Sequence, residues 1–254
     1  MTNNKVISLE NIKTACKNCN LNSLCLPVGL SQGEVEQLDA IIRRGRPMHR
    51  GDYLFRGGES FHSIYVVKTG SVKSCLCSEN GGEHLIGFHL PGELIGLDAI
   101  EQGSYHCTAQ VLETSAVCEI PFARLEAISA VVPTLQHQLF RLLSKEISND
   151  AEMVAMLGSC NAEERLALFL LGVSQRLQRR GFSGSDFYLS LSRHEIGSYL
   201  GLAVETISRL FTRFHEEGLL HVERRHIQLL DPKRLQQLVE HGEPVSSKRQ
   251  QRAT

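Results

Sequence analysis

SLSRHEIGSYLGLAVETISRLFTRFHEEGLLHVERRHIQLL, residues 190–230, decides how this chain is read. Ser192 can cap a short helix carrying Ile196, Tyr199 and Leu200, and Gly201 permits the sharp turn of a helix–turn–helix unit. A second helix over about 203–217 turns Val204, Ile207, Leu210, Phe211 and Phe214 inward at helical spacing. Glu205, Thr206, Ser208, Arg209 and Arg213 then fall on its outer side. HVERRHIQLL follows as two short strands with Arg224 and Arg225 between them, a wing placed to meet phosphates. The N-terminal part of such a second helix lies in the major groove. There Arg209 can donate two bonds to guanine, Glu205 can accept from cytosine N4, and Ser208 can bond a base edge or a phosphate. Charge is no signal, because residues 192–226 hold five Arg and five Glu. A merely solvated amphipathic helix would carry the same charges. What favours DNA is the order of capped helix, glycine turn, second helix and basic hairpin.

Outward from this stretch, Asn161 with Glu164 behind it starts a helix, AEERLALFLLGVSQRLQRR, that ends at Gly181, and the loop GFSGSD follows. Asp231-Pro232 opens a last helix to about Glu240. Together 159–241 are expected to form a winged helix–turn–helix domain, with a polar, disordered tail over 242–254. Upstream, 132–158 is one long helix with Pro133 in its first turn. Leu135, Leu139, Leu142, Leu143, Ile147, Met153, Val154 and Leu157 give it a broad apolar stripe. Glu146 and Asp150 fall on the same side as Leu139, Leu142 and Met153. So striped a helix wants a partner: its own barrel, or a second copy across a dimer seam.

Residues 46–121 change character. Short runs (YLF, SIYVV, SVKSCLC, HLIGFHL, CTAQVLE, SAVCEIP) alternate with glycine turns, as in a small antiparallel barrel or jelly roll, and 31–131 are expected to form a β-roll domain. Its leading helix has Ser31 as N-cap with Glu34 three residues on. The 254 residues suit two domains; 42% are hydrophobic and 22% charged, so real cores can form. No apolar run approaches the roughly 20 residues of a membrane span, and the N-terminus lacks a signal peptide's apolar stretch, so a soluble, cytoplasmic protein is expected. The net charge of −1 announces no nucleic-acid binder in bulk.

Eight cysteines in a chain without an export signal argue against a disulfide framework. Cys16, Cys19 and Cys25 crowd into CKNCNLNSLC, within a segment (1–30) read as a cysteine loop for a metal or redox site. Three thiolates can wrap three corners of an iron–sulfur cube, and a fourth must come from elsewhere. The candidates by residue type are Cys75, Cys77, Cys107, Cys118 and Cys160. Zinc is the rival metal, although structural zinc sites usually pair two local knuckles and here the second is missing. An apo thiol switch is the third possibility.

The β-roll, the long helix and the winged helix–turn–helix resemble the cAMP-receptor-protein superfamily of bacterial transcription regulators. VETISRLFTRF, GFHLPGELIGLDAI and the CxxCx5C pattern with a later VCEIPF resemble its FNR-type oxygen-sensing branch, the fumarate and nitrate reduction regulators including the ANR proteins. The resemblance covers about 12–240. It implies an α+β chain: a cyclic-nucleotide-binding-like β-roll, a dimerisation helix and a DNA-binding domain. It nominates Cys118 as fourth ligand of one oxygen-labile 4Fe–4S cluster per subunit, with Cys75, Cys77, Cys107 and Cys160 as non-ligands. Asn20 and Leu24, between the ligands, would control oxygen access. Glu146, Ile147 and Asp150 would form a dimer switch, with a homodimer forming when the cluster is loaded and reading half-sites like TTGAT and ATCAA on double-stranded DNA. The turn at 78–84 and the loop around 180–186 would meet RNA polymerase. Where the nucleotide-binding parents carry an Arg-Ser pair for the cyclic phosphate, this chain has Cys107 and Thr108. Neither supplies a cation, so no cAMP is expected.

No P-loop, HExxH or GxSxG occurs, so nothing marks an enzyme. A ferredoxin-like carrier would account for the thiols and not for the wing. A cluster-free regulator responding to nitric oxide, haem or another small ligand is the alternative that uses every element except the cysteine loop.

Overall fold

The computed structural model describes residues 15–77 and 82–240. The tail after Glu240 and the tip of the turn at 78–81 lie outside the described residues. The chain divides into two compact units, 1–146 and 147–254.

The first unit begins with a 3-10 turn at Cys16–Asn18, further tight turns to residue 29, and helix α1 (Gln32–Ile41). Glu34 accepts the Ser31 N–H at 2.7 Å, the reciprocal arm of the capping box at this helix start. Two four-stranded antiparallel sheets follow. One has the order β1 (Arg43–Arg44), β8 (Ala116–Pro121), β3 (Ser63–Thr69), β6 (Leu94–Ile95). The other has the order β2 (Tyr53–Phe55), β7 (Thr108–Val111), β4 (Val72–Cys77), β5 (Glu83–His89). The six longer strands coincide with the six alternating runs of the sequence. β1 and β6, two residues each, are too short to leave a pattern and exist only through their partners.

Two apolar clusters hold this unit. Phe55, Val67, Val72, Ile95, Tyr105, Ala109 and Val111 fill the space between the sheets. Leu26, Leu38, Ile64, Val66, Ile120, Leu125 and Leu135 form the other. The second cluster joins the cysteine loop, α1, the first sheet, helix α2 (Phe122–Ser129) and the start of helix α3 (Pro133–Ser159). The cysteine loop is thus packed onto the roll by Leu26, not hung from it.

Helix α3 is apolar in two ways. Leu135 is buried and Leu139 and Leu142 pack on the second cluster. Phe140, Ile147 and Val154 are 60%, 70% and 71% exposed and fall at seven-residue intervals. The broad stripe expected from the sequence is therefore two rows, and Phe140, absent from that expectation, heads the outward one.

In the second unit, helix α4 (Ala162–Gln178) starts on the Asn161 cap, whose side chain accepts from the Glu163 and Glu164 N–H groups at 2.9 and 3.1 Å. Helix α5 (Arg193–Leu200) starts on Ser192, whose hydroxyl accepts the Glu195 N–H at 3.2 Å. It ends on Gly201 in the left-handed conformation (φ 63°). Helix α6 is Val204–Glu216 and α7 is Pro232–Glu240. The sheet is three-stranded, β10 (Leu220–Glu223), β11 (His226–Leu229), β9 (Asp186–Tyr188). β9 lies where a loop was expected up to Asp186. Its Asp186–Tyr188 segment pairs with β11, and Asp186 accepts from Gln228 at 3.0 Å.

Candidate metal centre and nucleic-acid interface

In the first unit, Cys16, Cys19, Cys25 and Cys118 all line one cavity. The loop delivers the first three. Strand β8 delivers Cys118, which pairs with Val66 of β3 on one side and Arg44 of β1 on the other. Leu21, Leu26, Leu38, Ile42, Val66 and Ile120 make the rest of the wall largely apolar. Cys75, Cys77, Cys107 and Cys160 are not part of it.

Burial is the main influence on these thiols. It pushes Cys16 up to about 12, aided by its contact with Asp39. It raises Cys25 strongly, with Cys118, Cys16 and Cys19 adding to the rise. It raises Cys118 too, against the pull of Arg44 and Lys68. Burial thus favours the protonated thiol at Cys16, Cys25 and Cys118 until a cation replaces the proton.

Polar contacts anchor the Cys16 end. Asp39 accepts the Cys16 N–H at 2.7 Å and forms an ion pair with Arg44. Arg44 Nη2 also donates to the Cys16 sulfur at 3.5 Å. Burial works to raise the Asp39 carboxyl, but the Cys16 and Arg44 contacts outweigh it and hold the group below its usual value.

The donor set suits a thiolate-ligated inorganic group. Among the described residues no three Cys, His, Asp or Glu side chains converge tightly enough to hold a single ion. A tetrahedral zinc with bonds of about 2.3 Å needs its sulfurs about 3.8 Å apart. Four thiols around a wall, not at a point, match a multinuclear cluster better. The cavity measures about 30 Å³ and is open to one side.

Of the two residues expected to shield this site, neither lines it. Asn20 is exposed. Leu24 is half-buried and leans on the turn at Gly92, where a Cβ would lie 3.3 Å from its own. Between the three clustered cysteines, the apolar residue that does face the cavity is Leu21, which sequence spacing did not single out.

In the second unit, α6 buries Ile207, Leu210, Phe211 and Phe214, while Glu205, Ser208 and Arg209 are exposed and Thr206 is half-buried. Val204, expected inside, is only half-buried. Ser208 and Thr212 donate back to the carbonyls of Val204 and Ser208 at 2.9 and 3.1 Å. Arg213, expected on the DNA face, is held by Glu163 and by Glu217, the latter at 2.8 Å. Its guanidinium joins α6 to the start of α4. Arg193 lies over the Phe211 ring, 3.3 Å from its centroid, and burial lowers its pKa to about 10, so it stays charged inside the helix pair. Gly197 allows the close approach that makes the turn: a Cβ there would stand 2.6 Å from the Leu202 carbonyl oxygen. At the wing tip, in the turn between β10 and β11, Arg224 adopts φ 56° and both Arg224 and Arg225 are exposed. Arg165 fastens the end of α3 to this unit, donating to the carbonyls of Leu157, Cys160 and Leu200 at 2.7, 2.9 and 3.1 Å.

A β-roll together with a capped, glycine-turned helix pair and basic wing defines a DNA-binding transcription regulator of the cyclic-nucleotide-domain class. Residues 46–130 match the cyclic nucleotide-binding domain and 164–238 the Crp-like helix-turn-helix domain. The chain is 48% identical to the transcriptional activator protein Anr of Pseudomonas protegens, over 85% of this chain and 89% of that protein. It is 45% identical to the fumarate and nitrate reduction regulatory protein of Escherichia coli, over 91% of this chain and 92% of that one. FixK2 of Bradyrhizobium japonicum has the same fold, with a TM-score of 0.70 and 28% identity over 78% of this chain and 97% of that one. The chain belongs to the FNR/ANR family of transcription regulators. Among the described residues no helix is long and apolar enough to cross a membrane.

Proposed function

We propose that this regulator senses oxygen through a 4Fe–4S cluster held by Cys16, Cys19, Cys25 and Cys118, one per subunit. The observation that carries the reading is the gathering of these four thiols, out of eight cysteines, around one cavity between loop and sheet. When bound, the cluster supplies oxygen-labile bonds that tie the N-terminal loop to strand β8. The chain's residues do the rest. Cys118 fixes one end of the tether to the sheet. Leu26 and Leu38 pack the loop against α1 and the start of α3, so the position of the loop is felt where α3 begins.

The readout is a homodimer through α3. The row Phe140, Leu143, Ile147, Asp150, Val154 and Leu157 alternates steps of three and four, the a/d pattern of a helix that pairs with its own copy. Asp150 interrupts it with a charge, and Glu146 flanks it. In a two-fold dimer Asp150 meets its own counterpart. The apolar members favour pairing and the carboxylates oppose it, so a small shift of the helix start tips the balance. Each protomer then presents one α6 to a half-site of the TTGAT/ATCAA type, about one helical turn from the other. Glu205, Ser208 and Arg209 face the bases and Thr206 the edge of the contact. Arg213 has to leave Glu163 or Glu217 to reach a phosphate. Arg224 and Arg225 contact the backbone. RNA polymerase meets the loop around 180–186, where Phe182 is exposed, and the turn at 78–84, whose residues 78–81 lie outside the described ones. Cyclic AMP is not the effector. Cys107 is buried in the roll and Thr108 accepts the Gly57 N–H at 3.0 Å, so neither offers a cation to a phosphate.

The test is a comparison of anaerobic and aerobic preparations of the full chain for iron, acid-labile sulfide, oligomeric mass and operator binding. Iron and sulfide in near-equal amounts, a dimer and operator binding without oxygen, all lost in air, are expected. A metal-free or zinc-only anaerobic protein that binds its operator as well as in air refutes the reading.

A further inference from the structure

Two cations of the β-roll stand at the thiol cavity: Lys68 lines it, and Arg44 reaches the sulfur of Cys16, which lines it. Arg44 stands opposite Cys118 in the antiparallel pair of β1 and β8, so the two side chains share one face of the sheet. The same guanidinium reaches the Cys16 sulfur and Asp39. Its Nε–H is buried and has no partner among the described residues. Lys68 lines the cavity from the other side of Cys118 and is only 8% exposed. It gets there through an irregularity: Val67 pairs with Val117 and Thr69 with Ala116, so Lys68 is an extra residue in β3. A bulge of this kind re-aims a side chain, and strands keep such features next to functional sites.

A buried guanidinium N–H without a partner is unfavourable. Asp39 pairs with Arg44 through Nη2 and leaves the Nε–H unserved. Four thiolates around an iron–sulfur core make a net dianion, which would attract both cations and offer an acceptor to the Arg44 Nε–H. We infer that Arg44 and Lys68 form a cationic wall that holds a thiolate-ligated anionic cluster and sets its redox balance. The inference deepens the cluster reading and rests on it. Adding an electron to such a group deepens its negative charge, and nearby positive charge favours the reduced form. Both residues are positioning residues: they act on the bound group and ligate nothing.

The full chain, loaded anaerobically with ferrous iron and sulfide, is compared with Arg44→Gln, Arg44→Lys and Lys68→Met. Iron and sulfide per chain, the midpoint potential, the aerobic decay of the visible absorbance and the thermal unfolding of the metal-free chain are measured. Arg44→Gln and Lys68→Met are each expected to shift the one-electron equilibrium about tenfold toward the oxidised form, about 59 mV. Arg44→Lys, which keeps the charge, is expected to recover most of the shift. A purely structural role would lower the unfolding temperature and leave the potential where it was. If Arg44→Gln does not fold, Lys68→Met decides, since Lys68 is not part of the Asp39 ion pair. Loaded variants with wild-type potential and decay overturn the inference and leave the cluster reading standing. A wild-type chain that takes up no iron and sulfide overturns both.

Discussion

Replacing Asp150 by Ala should release the brake on dimerisation. In the row Phe140, Leu143, Ile147, Asp150, Val154, Leu157, Asp150 alone is polar, and its neighbours Ile147 and Val154 are among the most exposed large apolar side chains of the described residues. A parallel pair of α3 helices brings the two Asp150 carboxylates face to face. At about 4 Å two like charges repel by roughly 1 kcal/mol in water and roughly 4 kcal/mol at an effective dielectric near 20. Alanine removes that term and adds a small apolar face. At about 1.4 kcal/mol per decade, the dimer should tighten by about fivefold to several hundredfold. Sedimentation equilibrium in air, at a series of concentrations, reads this directly, and operator binding in air should follow it. Salt supplies an internal control. Screening weakens repulsion between the two carboxylates, so added salt should strengthen the wild-type dimer and act less on the variant. A variant with the wild-type dimer constant and the wild-type salt response would refute the charge-brake reasoning. Glu146→Ala should act in the same direction and less, because Glu146 flanks the row and is half-buried.

Other substitutions probe the remaining parts. Leu21→Ser should speed aerobic loss of the cluster's visible absorbance severalfold, and Leu24→Ser should do so less, because Leu21 lines the cavity and Leu24 leans on Gly92; equal decay of the two variants would remove Leu21's shielding role. Gly197→Ala places a methyl 2.6 Å from a backbone oxygen, and the overpacking should cost about 1–3 kcal/mol, read as a lower unfolding temperature and weaker DNA binding. Arg209→Ala should weaken operator binding by about 1–3 kcal/mol and relax preference at one base pair per half-site, measured by competition with point-substituted operators. Arg213→Ala should cost less and leave base preference intact, because its guanidinium already serves Glu163 and Glu217; a loss of base preference there would show that it reads DNA directly.

What the sequence made legible follows the range of the interactions involved. The helix starts at Ser31, Asn161 and Ser192 were readable because a cap and its partner lie three residues apart. The helix pair around Gly201 was readable because apolar spacing and a left-handed glycine are local signals. Strands β1 and β6 were not, because two residues hold no period, and β9 was not, because it follows a glycine-containing loop and becomes a strand only by pairing with β11. The same limit applies at the candidate metal centre. Three of the thiols lining the cavity stand out by spacing. Cys118 came only through the family resemblance, since nothing local separates it from the other strand cysteines. Its place at the cavity depends on the register of β8 against β3 and β1.

Register also decides which charges reach the thiols. Arg43 and Arg44 are adjacent and chemically identical. Arg43 pairs outward with Glu119 at 3.3 Å, while Arg44, one step along β1, turns to Cys16 and Asp39. A slip of one residue would exchange their faces, turning Arg44 away from Cys16 and Asp39 at the cavity wall. Lys68 reaches that wall only because β3 carries one residue more than β8 between Val67 and Thr69. Deleting Lys68 would regularise the pairing and remove the charge together, whereas Lys68→Met removes the charge and keeps the bulge. If bulge geometry alone mattered, the substitution would be silent and the deletion would not. If the charge is the purpose of the irregularity, both changes should move the cluster's redox balance in the same direction.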